Sequence, residues 1–376
     1  MRKQLKNQHP ETSYCGDHIR DQDMPTEHKR SGITLPKRTA LALGTLMLAG
    51  LSLSAGFPTA ALAQATEACS GKLYAATSYS DAVSVIDTQS NAIITTISVG
   101  HHPAQMVFTP DHKQIYVTNS GETSLSVIDV ATNAVVKTIP LDDSPLGIAI
   151  TPDGKRLALS SEKGQIKILT LATNESTPPI AVKLVPEQIR MTPDGKYLYV
   201  LSFLASQVEV IDVDKAQIIA TIPIKDANGG IVPAFPYNGL MSSDGKTLYV
   251  AALFDNFMAV IDTTSNAIVN TWPATSPVGI QSSPDHTKLY ITNYYGASSI
   301  SEYDAATGEL LRNQPLNVHK PAFMALREDG KYLYIGQAFG KTLTVFDTDT
   351  WTVKKELKVG KGANALLICN SPSPPS

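Results

Sequence analysis

Thr192-Pro193-Asp194-Gly195-Lys196-Tyr197-Leu198-Tyr199-Val200, followed by Gln207-Val208-Glu209-Val210-Ile211-Asp212, is the stretch whose reading decides the fold. Proline and glycine preset the backbone of a tight turn at Pro193–Gly195. The β-branched and aromatic residues on either side alternate as strands do. The same phrase recurs along the chain. Its turn aspartates are Asp111, Asp153, Asp194, Asp244, Asp285 and Asp329, spaced by 42, 41, 50, 41 and 44 residues. A period in this range marks an array of supersecondary units, none of which buries its apolar faces alone.

Each unit reads as four short strands. Pro145–Ile150 is a first strand, A; Thr151–Lys155 is the turn; Arg156–Ser160 is strand B and Gln165–Leu169 strand C, with a strand D before Pro186 restarts the pattern. Gln114–Asn119, Lys196–Val200, Thr247–Val250, Lys288–Asn293 and Lys331–Ile335 are further B strands, and Ser126–Asp129, Glu209–Asp212, Ala259–Asp262 and Thr344–Asp347 further C strands. No amphipathic helix of useful length interrupts them. Four antiparallel strands per unit, repeated, predict an all-β, seven-bladed β-propeller. Six blades carry the turn aspartate. The seventh is split: Lys72–Val99 supplies strands B, C and D, and Ala365–Ile368 from the other end supplies strand A, so the ring closes without leaving an open edge.

Ahead of the repeats, Lys37 and Arg38 precede an uncharged apolar run, Ala40–Leu53, and then Ala61-Leu62-Ala63. That is the order of a basic region, a short hydrophobic region and an A-x-A cleavage site. It predicts a leader over 1–63 cleaved after Ala63, a propeller over 64–370 and a Pro/Ser tail over 371–376. A run of about 14 residues is short for a membrane span, so no span is expected after cleavage and the location expected is periplasmic or extracellular. From Gln64 onward 23 Lys and Arg stand against 29 Asp and Glu, with no basic cluster, which argues against nucleic acid as a partner. Cys69 and Cys369, one near each end of the repeats, are most simply a disulfide in an exported protein. They flank the place where the other blades have their A–B turn, so the bond would take the place of that turn and contribute a few kcal/mol.

Tyr116-Val117-Thr118-Asn119, with the repeated Ser-Val-Ile-Asp and Thr-Pro-Asp-Gly-Lys strings, resembles the signature of the YVTN family of bacterial and archaeal β-propellers over roughly Lys72 to Leu367. The resemblance implies the architecture. It carries no catalytic role across, because the matching residues are strand and turn residues. The family's range implies three readings: a binding or scaffold module for a partner protein or small ligand, an accessory subunit of a periplasmic quinoprotein or redox system, or a lactonase-like hydrolase or lyase. Blade 3 departs from the pattern with Ala158-Leu159-Ser160-Ser161, and an insertion, Lys225–Pro236, precedes blade 5.

Function is expected where the repeat breaks, on the face carrying the D–A and B–C loops. Tyr79, Phe203, Phe254, Phe257, Tyr294, Tyr295 and Phe339, with Phe235 and Tyr237 from the insertion, form either a partner surface or packing between blades. His101, His102 and His319 stand on D–A loops and are either polar loop ends or ligands for Zn or Cu; no cofactor is otherwise expected. His112 and His286 replace the turn glycine and are expected in solvent. Gln105, Gln188, Arg190, Asn238, Gln281 and Asn364 place polar groups on inner strands, where they bind a ligand or ordered water. Arg190 is the sharpest of these, able to clamp a carboxylate or phosphate, with Glu187 as an alternative structural partner and Lys320 nearby at the mouth. The chain has no Gly-x-Ser-x-Gly elbow, P-loop, haem-attachment motif or EF-hand loop. Single turn aspartates on the opposite face are explained by turn formation.

Overall fold

The structure, a computed structural model, describes residues 69–225, 235–296, 298–318 and 320–369. The expected leader and cleavage site, the tail, most of the insertion before blade 5, and His319 lie outside the described residues.

Strand formation follows the turn chemistry. In the A–B turns of blades 2 to 6 a hydroxyl and the turn aspartate lock the reversal: Thr192 Oγ1 donates to Asp194 Oδ1 at 2.6 Å, and the Lys196 N–H donates to the same oxygen at 3.1 Å; in blade 7 Arg327 takes the place of the hydroxyl. At the C–D corner the strand-ending aspartate repeats the device, as Asp129 Oδ1 accepts from the Thr132 N–H and hydroxyl, both at 2.8 Å. These local bonds set the register, and seven antiparallel sheets result. Blade 1 comprises A (Ala363–Ile368), B (Lys72–Thr77), C (Ala82–Asp87) and D (Ala92–Ser98). Blade 2 runs Pro103–Phe108, Gln114–Asn119, Ser124–Asp129 and Ala134–Pro140; blade 4 runs Pro186–Met191, Tyr197–Ser202, Gln207–Asp212 and Gln217–Pro223. Blades 5, 6 and 7 begin with A strands Pro236–Met241, Pro277–Ser282 and Pro321–Leu326. Blade 3 begins at Pro145–Ile150, and its D strand is broken into Glu175–Ser176 and Ile180–Ala181, both paired with strand C (Gln165–Thr170). Among the described residues no helix is long and apolar enough to cross a membrane.

Neighbouring A strands touch all the way round, including blade 7 with blade 1 and blade 1 with blade 2. The core is correspondingly divided into seven apolar layers, one between each pair of blades. Period-2 geometry sends alternate residues of one strand to opposite layers. In blade 1, Tyr74 and Ala76 enter the layer against blade 2, while Leu73 and Ala75 enter the layer against blade 7. The B and C strands are therefore buried on both faces, and only D strands alternate toward solvent.

Tyrosines of the B strands also tether blades. Tyr199 Oη donates to Asn266 Oδ1 at 2.7 Å, and Tyr334 Oη donates to Asn91 Oδ1 at 2.7 Å and to the Thr88 carbonyl at 3.1 Å. The latter pair ties blade 7 to blade 1. The acceptor asparagines sit in the left-handed region, with φ of 52° at Asn91 and 50° at Asn266, a conformation asparagine tolerates well.

Ring closure is as the split blade predicts. Leu73 pairs with Ile368 and Tyr74 with Leu367, the Cys369 N–H donates to the Lys72 carbonyl at 2.9 Å, and Cys69 and Cys369 are disulfide-bonded. His112 corrects the expectation that it is solvated. It keeps the left-handed turn position, φ 54°, but its ring is half-buried, stacks on Phe108 at 5.0 Å and points Nδ1 at the disulfide. The reason is its place in the layer between blades 1 and 2, where the cysteines stand. His286, in the equivalent turn of blade 6, is exposed as expected.

Candidate binding site at the loop face and channel mouth

The loop face is built by a strained device that recurs at the start of the A strands. His102, Val185, Phe235, Ser276 and Lys320 each precede a proline, and each has positive φ, from 42° to 56°. Residues before proline ordinarily adopt extended backbone, and a β-branched valine at φ 56° is an outlier. Each carbonyl is fixed by an N–H from the B–C loop of the same blade: Ser120 to His102, Phe203 to Val185, Leu253 to Phe235, Tyr294 to Ser276 and Ala338 to Lys320, at 2.9–3.3 Å. Strain of this kind persists only where the surroundings over-determine it. Here it clamps D–A and B–C loops together and so fixes the side chains they carry. In blade 1, Gly362 (φ 74°) takes the same place and accepts from the Ser78 N–H.

The clamped loops carry a continuous arc of rings. His102 meets Tyr79 edge-on at 5.3 Å, and Tyr79 stacks on Phe339 at 5.9 Å. Lys320 Nζ lies 5.4–5.5 Å from the rings of Phe339, Tyr294 and Tyr295. Tyr295 stacks on Phe254 at 5.6 Å, Phe254 meets Phe235 at 4.8 Å, and Phe235 meets Phe203 at 5.2 Å. Phe203 contacts Tyr237, which reaches Phe323 on the inner strand of blade 7 at 6.0 Å. The arc thus runs from His102 of blade 2 through blades 1, 7, 6, 5 and 4 and turns inward at Tyr237. Tyr79, Phe254, Tyr295 and Phe339 are half-buried, whereas Phe203 and Tyr294 are buried. Phe257 is a correction: it is the first residue of strand C of blade 5, paired with Pro273 and packed in the layer against blade 4, so it presents nothing to the loop face. Leu204, on a short 3-10 turn (Phe203–Ala205), and Leu184 on the adjoining D–A loop are 50% and 63% exposed.

Below the arc, the channel wall between blades 4 and 5 holds Arg190. Its Nε donates to the Gly239 carbonyl at 2.6 Å, one terminal nitrogen to the Ile189 carbonyl at 2.8 Å, and the other to Asn238 Oδ1 at 2.8 Å. All three acceptors are neutral, and among the described residues no carboxylate contacts the guanidinium. Burial alone pushes Arg190 down to about 10, so it remains charged at neutral pH. Glu187, the alternative partner, is not among these acceptors, and it stands at the bulge between Pro186 and Gln188, where the alternation of the strand is interrupted. Gln188 shares the Arg190 side. It is 2% exposed, and its Oε1 has no hydrogen-bond partner among the described residues. Asn238 is also buried, and its Oδ1 accepts from the Gly239 N–H as well. Gln105, Gln281 and Asn364 are half-buried on the inner strands of blades 2, 6 and 1, with Asn364 Nδ2 3.3 Å from Ser78 Oγ.

The described loop histidines are engaged at the rim. His101 Nδ1 lies 2.9 Å from Asp81 Oδ2, and the His102 N–H donates to Asp81 Oδ1 at 2.9 Å. The Asp81 hydrogen bond and charge raise the His101 imidazole above its ordinary value. Burial pushes the Asp81 carboxyl up, but the bonds from His102 and His101 outweigh it and the net shift is down. Asp81 thereby ties two loops together. The one group of three potential metal-ligating side chains among the described residues is Cys69, His112 and Cys369.

A family model described as YNCE-like beta-propeller matches residues 37–163, about a third of the chain. No curated protein sequence matches. Among solved structures, the chain is similar to the hydrazine synthase of Kuenenia stuttgartiensis, at 20% identity over 70% of this chain and 88% of that one, with a TM-score of 0.63. It is also similar to a functionally unknown protein from Desulfotomaculum acetoxidans DSM 771, at 18% identity over 80% and 99%, with a TM-score of 0.68. A third likeness is to dihydro-heme d1 dehydrogenase NirN in complex with DHE, at 15% identity over 78% and 75%, with a TM-score of 0.59. At these identities the likenesses concern the fold.

Proposed function

We propose that this propeller is a binding module, not a catalyst, that takes an organic anion with a flat apolar body at the channel mouth. The observation that carries the reading is Arg190. A cation drawn partly out of water is costly unless paired, yet the three hydrogen bonds of this half-buried guanidinium go to neutral acceptors, leaving two of five N–H donors. A carboxylate or phosphate oxygen pair suits that remaining fork. The unpartnered Gln188 Oε1 stands on the same side, and an amide there serves the ligand as donor or acceptor. Tyr237 precedes Asn238, the Arg190 partner, so the inner end of the aromatic arc adjoins the charge. The ligand's apolar body stacks on the arc while Lys320 adds positive potential at the rim.

A partner protein is the second reading, favoured by the exposed Leu184 and Leu204 beside the arc. A hydrolase or lyase has less support, since the described His–carboxylate pair at this face, His101–Asp81, lies at the exposed rim and is engaged in loop tethering.

The test is a thermal-shift panel of aryl carboxylates, aliphatic carboxylates, aryl phosphates and the neutral aryl amides. A true ligand at about 100 times its Kd stabilises by ~2.7 kcal/mol. Aryl anions are expected to raise the melting temperature of the wild type and not of Arg190→Gln. Equal shifts from the neutral amides would sink the reading.

A further inference from the structure

His112 has no role in the loop-face site, and it departs from its own repeat. The equivalent turn position is Gly154, Gly195, Gly245 and Gly330 in blades 3, 4, 5 and 7, all with φ of 70–74°. Glycine is the inexpensive residue there. The histidine instead keeps the strained angle and lays its ring over the ring-closing cysteines. Its Nδ1 is 3.8 Å from Cys69 Sγ and 3.5 Å from Cys369 Sγ. Both cysteines are fully buried, and Phe108 backs the imidazole.

These distances match a metal site. Zinc–sulfur bonds of about 2.3 Å and a zinc–nitrogen bond of about 2.0 Å in tetrahedral geometry put sulfur and nitrogen ~3.6 Å apart. The two sulfur–nitrogen separations are already there. Once the disulfide is opened, only the sulfurs need to part, to about 3.8 Å. The inner surroundings are apolar, with Tyr74, Met106 and Ala365 in the same layer. We propose that in its dithiol form the chain binds one soft, filled-shell metal ion, Zn2+ or Cu+, through Cys69 Sγ, Cys369 Sγ and His112 Nδ1. Thiolate pairs with imidazole select such ions, and three protein ligands leave a fourth position for water. The same side chains then close the ring in two ways, by a covalent bond where thiols are oxidised and by a metal clasp where they are reduced.

The conversion balances. A water-soluble phosphine takes the disulfide to two thiols, the phosphine becoming its oxide with oxygen from one water. Metal binding then releases the two thiol protons to solvent. Closure does not depend on the bond alone, because Leu73–Ile368 strand pairing and the Cys369 N–H to Lys72 carbonyl bond remain.

The test uses the full chain, phosphine-reduced and desalted without oxygen, titrated with Zn2+ and read by native mass spectrometry. Co2+ substitution supplies a second readout through thiolate-to-cobalt charge-transfer absorption. The reduced wild type is expected to hold one Zn2+ and to show that absorption, and the oxidised protein neither. His112→Gly restores the turn residue of the other blades and so keeps the fold, but is expected to weaken binding by at least about tenfold. Cys369→Ser is expected to abolish the charge-transfer absorption at stoichiometric Co2+. Two results would overturn the proposal: reduced wild type binding no more Zn2+ than Cys369→Ser, or His112→Gly binding as tightly as wild type with an unchanged cobalt spectrum.

Discussion

Replacing Cys69 and Cys369 together by serine removes the covalent link between the two ends of the ring while leaving strand pairing in blade 1 intact. The sequence separation is 300 residues. In the loop-entropy account the bond restricts the unfolded chain by 2.1 + 1.5R ln n cal/mol/K, about 19 cal/mol/K here, or ~5.7 kcal/mol at 25 °C. Unfolding entropy near the midpoint is about 2.1 cal/mol/K per residue, which is ~0.6 kcal/mol/K for a propeller of roughly 300 residues. The melting temperature of the double variant is therefore expected to fall by ~9 °C. Differential scanning calorimetry of oxidised wild type, phosphine-reduced wild type and the double variant, with metal excluded, reads this directly. The last two are expected to coincide, because the effect lies in the unfolded chain and not in the side chains replaced. A double variant melting within ~2 °C of the oxidised protein would refute the reasoning, since it would mean that the ends stay close in the unfolded chain or that the bond does not form.

Acid should weaken the fold through its turns. Asp153, Asp194, Asp244 and Asp329 all titrate below the ordinary carboxylate value of 3.8, and Ser283 and Thr287 hold Asp285 at about 2. Depressed carboxylates contribute stability that is present above 3.8 and lost as the pH falls through their folded values. The urea midpoint should therefore drop between about pH 4 and pH 2, and a flat profile across that window would contradict the turn assignment. Tyr334→Phe leaves Asn91 Oδ1 without its donor at the blade 7–blade 1 junction, while the Thr88 carbonyl keeps its bond from Arg327, and should cost about 1 kcal/mol in urea unfolding; no loss would mean the tether carries nothing. His101 should titrate above its ordinary 6.5 in a histidine NMR experiment and fall back in Asp81→Asn. The sign is that of a raised group: its pairing stabilises below about 6.5 and is lost as the pH rises through the raised value. An unchanged His101 titration in that variant would remove Asp81 as the cause.

The blades were legible because their determinants are local. The hydroxyl and aspartate of Thr192–Asp194 fix a turn within three residues, and β-branched alternation fixes the strands beside it. The split blade followed from counting, and the cysteine pair from the register. What the sequence hid depends on contacts between distant residues. The left-handed Val185 is held by an N–H from Phe203, and a residue before proline offers no local reason to adopt that angle. Phe257 reads as a loop residue when the strand is started at Ala259, two positions after its actual first residue. Phe323 belongs to the arc only because its ring comes within 6.0 Å of Tyr237 although blade 6 stands between their strands. His112 carried a usable signal, a histidine where the repeat has glycine, but its meaning needed the blade 1–blade 2 layer that brings it to the cysteines. Arg190 was visible as a cation on an inner strand; that its partners are all neutral is a matter of packing.

The claim that most needs testing is that the Arg190 guanidinium is the charge that holds a ligand. Isothermal titration of the best aryl anion from the panel into wild type and Arg190→Gln measures it, with the apo variants' melts confirming that both are folded. Wild type should bind one equivalent, and the variant should lose at least about 2 kcal/mol, some thirtyfold in Kd. Equal affinity in the two proteins would contradict the account and move the ligand away from the channel wall.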